Sequence, residues 1–257
     1  MSFFRYNLPF NRKEIVDFLD FFLEEIIWTD FPTEENLSIF ENQLKVILSK
    51  IYTSSDFDFK VNSIINFVTD LRKEAEKLVV EYFRNDPACK SEIEIVLSYP
   101  GYYATIVHRF AHFLSVLELP ILPRVIAEIA HSRTGIDIHP SAIIGQNFYI
   151  DHGTGIVIGE TTVIGDYVKI YQGVTLGAFY VSKDLANIKR HPTIGNNVTI
   201  YAGATILGGT TEIGDNVIIG GNVWITKSIP SDARVYQNSK PIVIEPKEIL
   251  DKNNYSI

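Results

Sequence analysis

The sequence predicts an α+β chain: an N-terminal all-α helical domain over residues 1–134, a parallel β-helix of hexapeptide repeats over residues 135–235, and a C-terminal tail over residues 236–257. Two observations carry this. Apolar residues recur at helical spacing up to about residue 134, and from Gly135 they recur every six residues.

In the first half, Ile15, Phe18, Leu19, Phe22 and Ile26 make one stripe. Leu37, Phe40, Leu44, Ile47 and Ile51 make a second, and Val61, Ile64, Ile65, Val68 and Leu71 a third. Such i, i+3, i+4, i+7 series mark amphipathic helices that bury one face against one another. Asp30 with Pro32 and Thr33, Asp86-Pro87, and Tyr99-Pro100-Gly101 read as breaks between them, giving about six helices. His108 and His112 stand four apart, a metal-ligand spacing, but no third ligand accompanies them, and helix packing is the favoured reading.

In the second half, Ile138, Ile144, Ile150 and Ile156 fall six apart; Ile158, Ile164, Ile170 and Leu176 follow after a two-residue slip. Ile194, Ile200 and Ile206 form a third series, and Ile213, Ile219 and Ile225 a fourth after a one-residue slip. Neither a helix nor a simple alternating strand has this period. A parallel β-helix does, because each short strand turns one aliphatic side chain inward and stacked coils share one core. Phe179–Arg190 interrupts the repeat and reads as a loop projecting from one corner, a usual place for function.

Composition narrows the function. Apolar residues make up 46% of the chain, enough for a sizeable core. The net charge of −8 argues against nucleic acid or an anionic membrane as the main partner. Cys89 is the single cysteine, which rules out an intrachain disulfide and fits a reducing cytoplasm. No apolar run suggests a signal peptide or a membrane span.

The motifs sharpen the reading. Gly135-Ile-Asp-Ile-His-Pro-Ser-Ala, Asp151-His-Gly-Thr-Gly-Ile-Val-Ile-Gly-Glu-Thr, Gln172-Gly-Val-Thr-Leu-Gly and Lys189-Arg-His-Pro-Thr-Ile-Gly resemble the serine acetyltransferase family, with Tyr99-Pro-Gly-Tyr-Tyr-Ala and His108-Arg-Phe-Ala-His upstream. The resemblance covers roughly residues 86 to 235. It implies a left-handed β-helix and transfer of acetyl from acetyl-CoA to the hydroxyl of L-serine. The chain departs from the best-known enterobacterial members in a longer loop before His191, and from the family's usual Gly-Gly in Gly177-Ala178.

A serine hydroxyl needs a general base to attack a thioester, and His152 is the candidate. Asp137, fifteen residues earlier and so about one coil below near the same edge, is expected to orient and stabilise its imidazole, as the family pairing implies. The resemblance assigns the substrate ammonium to Asp86 and Asp151 and the carboxylate to Arg190 and His191, and Glu160 is expected to order the site through contacts behind them. It places acetyl-CoA along Gly177, Ala178, Ala202 and Gly221. Transfer is expected to be direct, with no acetyl-enzyme on Cys89 and no metal. The resemblance also implies a homotrimer or dimer of trimers with sites between subunits, and an O-acetylserine sulfhydrylase partner held by Ile257. The rival readings are an acetyltransferase for a sugar or xenobiotic hydroxyl, a γ-carbonic-anhydrase-like metal hydratase, and a non-catalytic scaffold. His139 and His131 carry no assigned role.

Overall fold

The computed structural model describes residues 8–29, 31–179 and 188–237. Asp30, most of the 179–190 loop, the tail beyond Gln237, and Ile257 with it lie outside the described residues.

Among the described residues six α-helices come first: α1 (Arg12–Phe21), α2 (Glu34–Ser49), α3 (Phe57–Asn85), α4 (Glu92–Ser98), α5 (Pro100–Val116) and α6 (Leu122–Thr134). Local chemistry sets their starts. The Asn11 carboxamide accepts from the Glu14 N–H at 2.8 Å, the Thr33 hydroxyl accepts from the Asn36 N–H at 3.1 Å, and Pro100 opens α5. α1 runs on into a π-helical turn, Phe22–Ile27. The predicted stripes form the core: Phe18, Phe22, Phe40 and Phe110 stack on one another among buried Leu19, Leu44, Ile64 and Leu71. Leu37, in the first turn of α2, is exposed and falls outside it, whereas Ile51, past the end of α2, and Ile65 pack against it half-buried.

Fourteen short strands among the described residues then wind into three parallel sheets of a β-helix of about five coils. The first sheet stacks β1 (Asp137–Ile138), β4 (Val157–Ile158), β7 (Thr175–Gly177), β10 (Thr205–Leu207) and β13 (Trp224–Ile225). The second stacks β2 (Ile143–Ile144), β5 (Val163–Ile164), β8 (Thr193–Ile194) and β11 (Glu212–Ile213). The third stacks β3 (Tyr149–Asp151), β6 (Lys169–Tyr171), β9 (Thr199–Ile200), β12 (Ile218–Ile219) and β14 (Arg234–Val235). Ile138, Ile158, Leu176, Ile206 and Ile225 form one inward ladder; Ile144, Ile164, Ile194 and Ile213 form the next; Ile150, Ile170, Ile200 and Ile219 form the third. Every one of them is buried.

Ile156 does not belong to these ladders. It sits at a corner beneath Val174, Ala204 and Val223, whose carbonyls accept from the strands below. The two-residue slip therefore lies earlier than the sequence pattern places it, between Asp151 and Gly155. Gly155 stacks on Gly135 and under Gly173 and Gly203, so His152-Gly153 is the extra pair, bulged out of the corner with φ of 57° and 96°. The one-residue slip falls at Gly208-Gly209, where the backbone of Lys189 lies so close that no side chain fits at residue 209.

The helical half closes the first coil. Buried Arg109 forks onto the carbonyls of Ile144 and Gly145 and pairs through Nε with Glu74 at 2.6 Å. His108 donates Nε2–H to the Ala142 carbonyl at 3.2 Å, and burial holds its pKa well below the usual value, so the ring is neutral. His112 meets the Pro140 carbonyl at 2.8 Å. Helix packing and hydrogen bonding thus occupy both rings. The Tyr82 hydroxyl accepts from the Ile150 N–H at 3.0 Å, and Gly101 lies against Ile150 too tightly for any side chain.

Candidate functional site

The residues singled out from the sequence gather at two different corners of the prism. At the bulged corner, β3 ends in Asp151 and the chain turns through His152. The imidazole Nε2 lies 3.6 Å from Asp151 Oδ1, and the His152 side chain is 74% exposed, free to meet a ligand. Asp86, at the C-terminal end of α3, joins them: its carboxylate accepts from the Tyr99 hydroxyl at 2.5 Å and the Ala88 N–H at 2.8 Å. Those bonds, the Tyr99 one foremost, hold its pKa below the ordinary carboxylate value, with His152 adding a smaller electrostatic contribution. Asp86 is therefore ionised, and its side chain is committed to Tyr99 and Ala88 rather than to capping a helix start. Tyr149 and Tyr171 stand nearby, each made harder to ionise by burial first and then by Asp151.

The corner between the first and second sheets holds the other group. Arg190 pairs with Glu160. The Thr161 hydroxyl accepts from the N–H groups of Arg190 at 2.9 Å and His191 at 3.0 Å, and the Thr161 N–H donates to His191 Nδ1 at 3.0 Å. That last bond fixes the tautomer: Nδ1 is an acceptor, so a neutral His191 carries its proton on Nε2. Burial first, then Arg190, pushes the His191 pKa from 6.5 down to about 4. The ring lies over the Cα of Gly159, in space that a side chain there would fill.

Because the folded pKa of His191 is depressed, the unfolded chain takes up the proton first as pH falls. The stability His191 contributes is complete above 6.5 and is lost between 6.5 and about 4. Thermal melts across that window should fall less steeply for His191→Asn, whose amide oxygen can still accept from Thr161; identical slopes would refute the assignment.

Asp137 does not meet His152 within one chain. It lies in β1, aligned under Val157, with its carboxylate close to Glu128 and His131 and electrostatically linked to His139. Asp137 lies one coil below His152 beside the same corner, as Gly135 stacks under Gly155, but among the described residues no ion pair joins the two in a single chain. The bulge at 152–153 carries the imidazole out of the corner, and the fifteen-residue spacing does not bring the two side chains into contact. The expected acetyl-CoA positions divide in the same way. Ala202 and Gly221 stack at the bulged corner, while Gly177 and Ala178 lie at the end of β7, toward Arg190. Gly177 packs its Cα against Leu207 and leaves no room for a β-carbon without displacing that side chain.

His139 escaped sequence reading. It sits in the Arg190 group, one coil beneath Gly159, and the signal was its register with the Gly159 that His191 covers.

Coils of six residues a side, with a solvent-facing histidine at a corner, define the hexapeptide-repeat transferase class; the model for bacterial transferase hexapeptide (six repeats) matches residues 191–227. A plasmid serine acetyltransferase of Synechococcus elongatus is 53% identical over 160 residues, 60% of this chain and 50% of that one. The Helicobacter pylori serine acetyltransferase is 46% identical over 134 residues, 52% of this chain and 74% of that one. The crystal structure of serine acetyltransferase isoform 3 from Entamoeba histolytica, in complex with cysteine, superposes with a TM-score of 0.77 at 36% identity, covering 97% of this chain and 89% of that one. The Neisseria gonorrhoeae serine acetyltransferase in complex with serine gives a TM-score of 0.64 at 27% identity, over 92% of this chain and 98% of that one. The chain belongs to the serine acetyltransferase family. Its match spans about half the length of the cyanobacterial relatives.

Proposed function

We propose that the chain transfers the acetyl group of acetyl-CoA to the hydroxyl of L-serine, giving O-acetyl-L-serine and CoA. The observation that carries this is the division of charge between the two corners. Two carboxylates, Asp86 and Asp151, stand beside the imidazole of His152, and a guanidinium with a neutral imidazole stands at Arg190 and His191. Together they fit a zwitterionic amino acid whose hydroxyl faces a base. In one chain they are apart. In a homotrimer, one subunit's His152 corner would face its neighbour's Arg190 corner, and each cleft would be complete.

In this reading Asp86 and Asp151 hold the ammonium, and Arg190 and His191 hold the carboxylate. Glu160 keeps Arg190 in place. His152 takes the hydroxyl proton as the oxygen attacks the thioester carbonyl. Asp137, contributed across the interface, stabilises the imidazolium. When the C–S bond breaks, the same proton passes to the departing thiolate, and no acetyl-enzyme forms. Acetyl-CoA would run between subunits along Gly177 and Ala178 of one and Ala202 and Gly221 of the next. The partnership with O-acetylserine sulfhydrylase through Ile257, the pairing of trimers and a cytoplasmic setting belong to this proposal. No helix among the described residues is long and apolar enough to cross a membrane.

The test is complementation. His152→Ala and Arg190→Ala should each release almost no CoA thiol from acetyl-CoA with L-serine. Co-expressed, they should regain part of the wild-type rate, because mixed trimers contain an intact pair of corners. Mixed trimers that form yet stay inactive would remove the shared site. A wild-type preference for a sugar hydroxyl over L-serine would favour the rival acceptor.

A further inference from the structure

The Arg190 corner contains a second imidazole besides His191. His139 follows β1, and its N–H donates to the Ile158 carbonyl at 2.9 Å, which sets it one coil beneath Gly159. Its Nδ1 accepts from the Ser141 N–H at 3.1 Å. The neutral ring therefore carries its proton on Nε2, the tautomer that Thr161 imposes on His191. His139 thus stands in register beneath Gly159 while the His191 ring lies across it; the two imidazoles are near enough to influence one another, and both have Nε2–H as their donor. The charged groups facing His139 are Glu160, Arg124, Asp137 and Arg190, two of each sign. Burial comes first among the influences on its pKa and lowers it, which keeps the ring uncharged.

We infer that His139 is a further carboxylate-binding residue of this corner, its Nε2–H joining Arg190 and the Nε2–H of His191 around the amino-acid carboxylate. A guanidinium flanked by two neutral imidazole donors supplies charge once and direction three times. It can saturate a carboxylate without the repulsion that three cations would bring. This inference rests on the proposed serine reaction.

The test compares L-serine with L-serinamide, which keeps the hydroxyl and the ammonium and loses the carboxylate. The wild-type chain should favour L-serine in kcat/KM. His139→Leu should cut that preference by roughly tenfold or more, as expected for losing a hydrogen bond to a charged group, mainly through KM for L-serine, with the serinamide rate little changed. His139→Gln, whose amide nitrogen reaches the Nε2 position, should retain most of the preference. Should the leucine variant fail to fold, His139→Asn, whose amide nitrogen reaches only the Nδ1 position, carries the same expected loss. Equal losses on both substrates would mean a structural role and overturn the inference, as would a leucine or asparagine variant that keeps the full preference. A wild-type chain with no preference for L-serine overturns the serine reading itself, and this inference with it.

Discussion

Replacing His152 with alanine should lower kcat about a thousandfold and leave the melting temperature unchanged. The two halves of this expectation come from one feature. The imidazole projects from a bulge, with 74% of its side chain exposed and a single carboxylate contact, Asp151, at 3.6 Å. Little packing is lost on truncation, and a surface substitution of this kind shifts stability by about 0.5 kcal/mol or less. Catalysis has no such reserve. An alcohol cannot attack a thioester efficiently without losing its proton, and among the described residues no second exposed histidine stands beside Asp86 and Asp151. Steady-state rates of thiol release, with a melting curve of the same sample, decide it. A variant that keeps a tenth of the wild-type kcat would remove the base assignment. One that loses activity together with stability would show instead that His152 supports the corner.

Arg109→Met should lower stability by about 3 kcal/mol, the scale of leaving two buried carbonyls without their donor, with a smaller share from Glu74, whose side chain is one-third exposed. Methionine keeps the length and apolar stem of arginine and loses the fork. Glu74 then has no cation at 2.6 Å, and the carbonyls of Ile144 and Gly145 lose their donor in a region that water reaches poorly. Arg109→Lys should recover little, because one ammonium cannot serve two carbonyls and a carboxylate in the guanidinium's plane. Melting curves and limited proteolysis between α6 and β1 measure the effect. A melting temperature within a degree of wild type would mean that Tyr82, Gly101 and the neighbouring apolar contacts hold the halves together without it.

The sequence made the fold class legible to an unusual depth, for a physical reason. A coil of a β-helix has one inward aliphatic residue per side, so the core is written as a period, and the ladders through Ile138, Ile144 and Ile150 follow that period across the chain. What the period could not place was its own interruption. Ile156 is as apolar as its neighbours and six residues beyond Ile150, so it read as a face residue; only the stacking of Gly155 on Gly135 moves the extra pair to His152-Gly153. The third corner was also unread. There Gln146, Asp166, Asn196 and Asp215 form a ladder in which side-chain oxygens accept from the backbone of the coil below, beside left-handed Asn147, Tyr167, Asn197 and Asn216. The recurrent Gly-Asp and Gly-Asn pairs were its signal.

The candidate site was legible as residue types and illegible as geometry. Asp86, Asp151, Arg190 and His191 came from motif resemblance, and nothing in a single chain's spacing says that they occupy two corners. Nor could spacing distinguish an Asp137 that reaches His152 in its own coil from one that would reach it across an interface. The grip of Arg109 on the first coil joins residues far apart in sequence through backbone carbonyls, which leave no mark in a string of side chains.

The bulge at His152-Gly153 has an evolutionary consequence. Below it and above it the ladders keep register, so the proposed base sits on two residues added to a periodic frame. Excising the pair would restore the common coil and remove the exposed imidazole; inserting such a pair at the same corner of another hexapeptide chain would be a short route by which a structural solenoid gains one. Chemistry on this architecture can thus be gained or lost by a small indel, without renegotiating the interior.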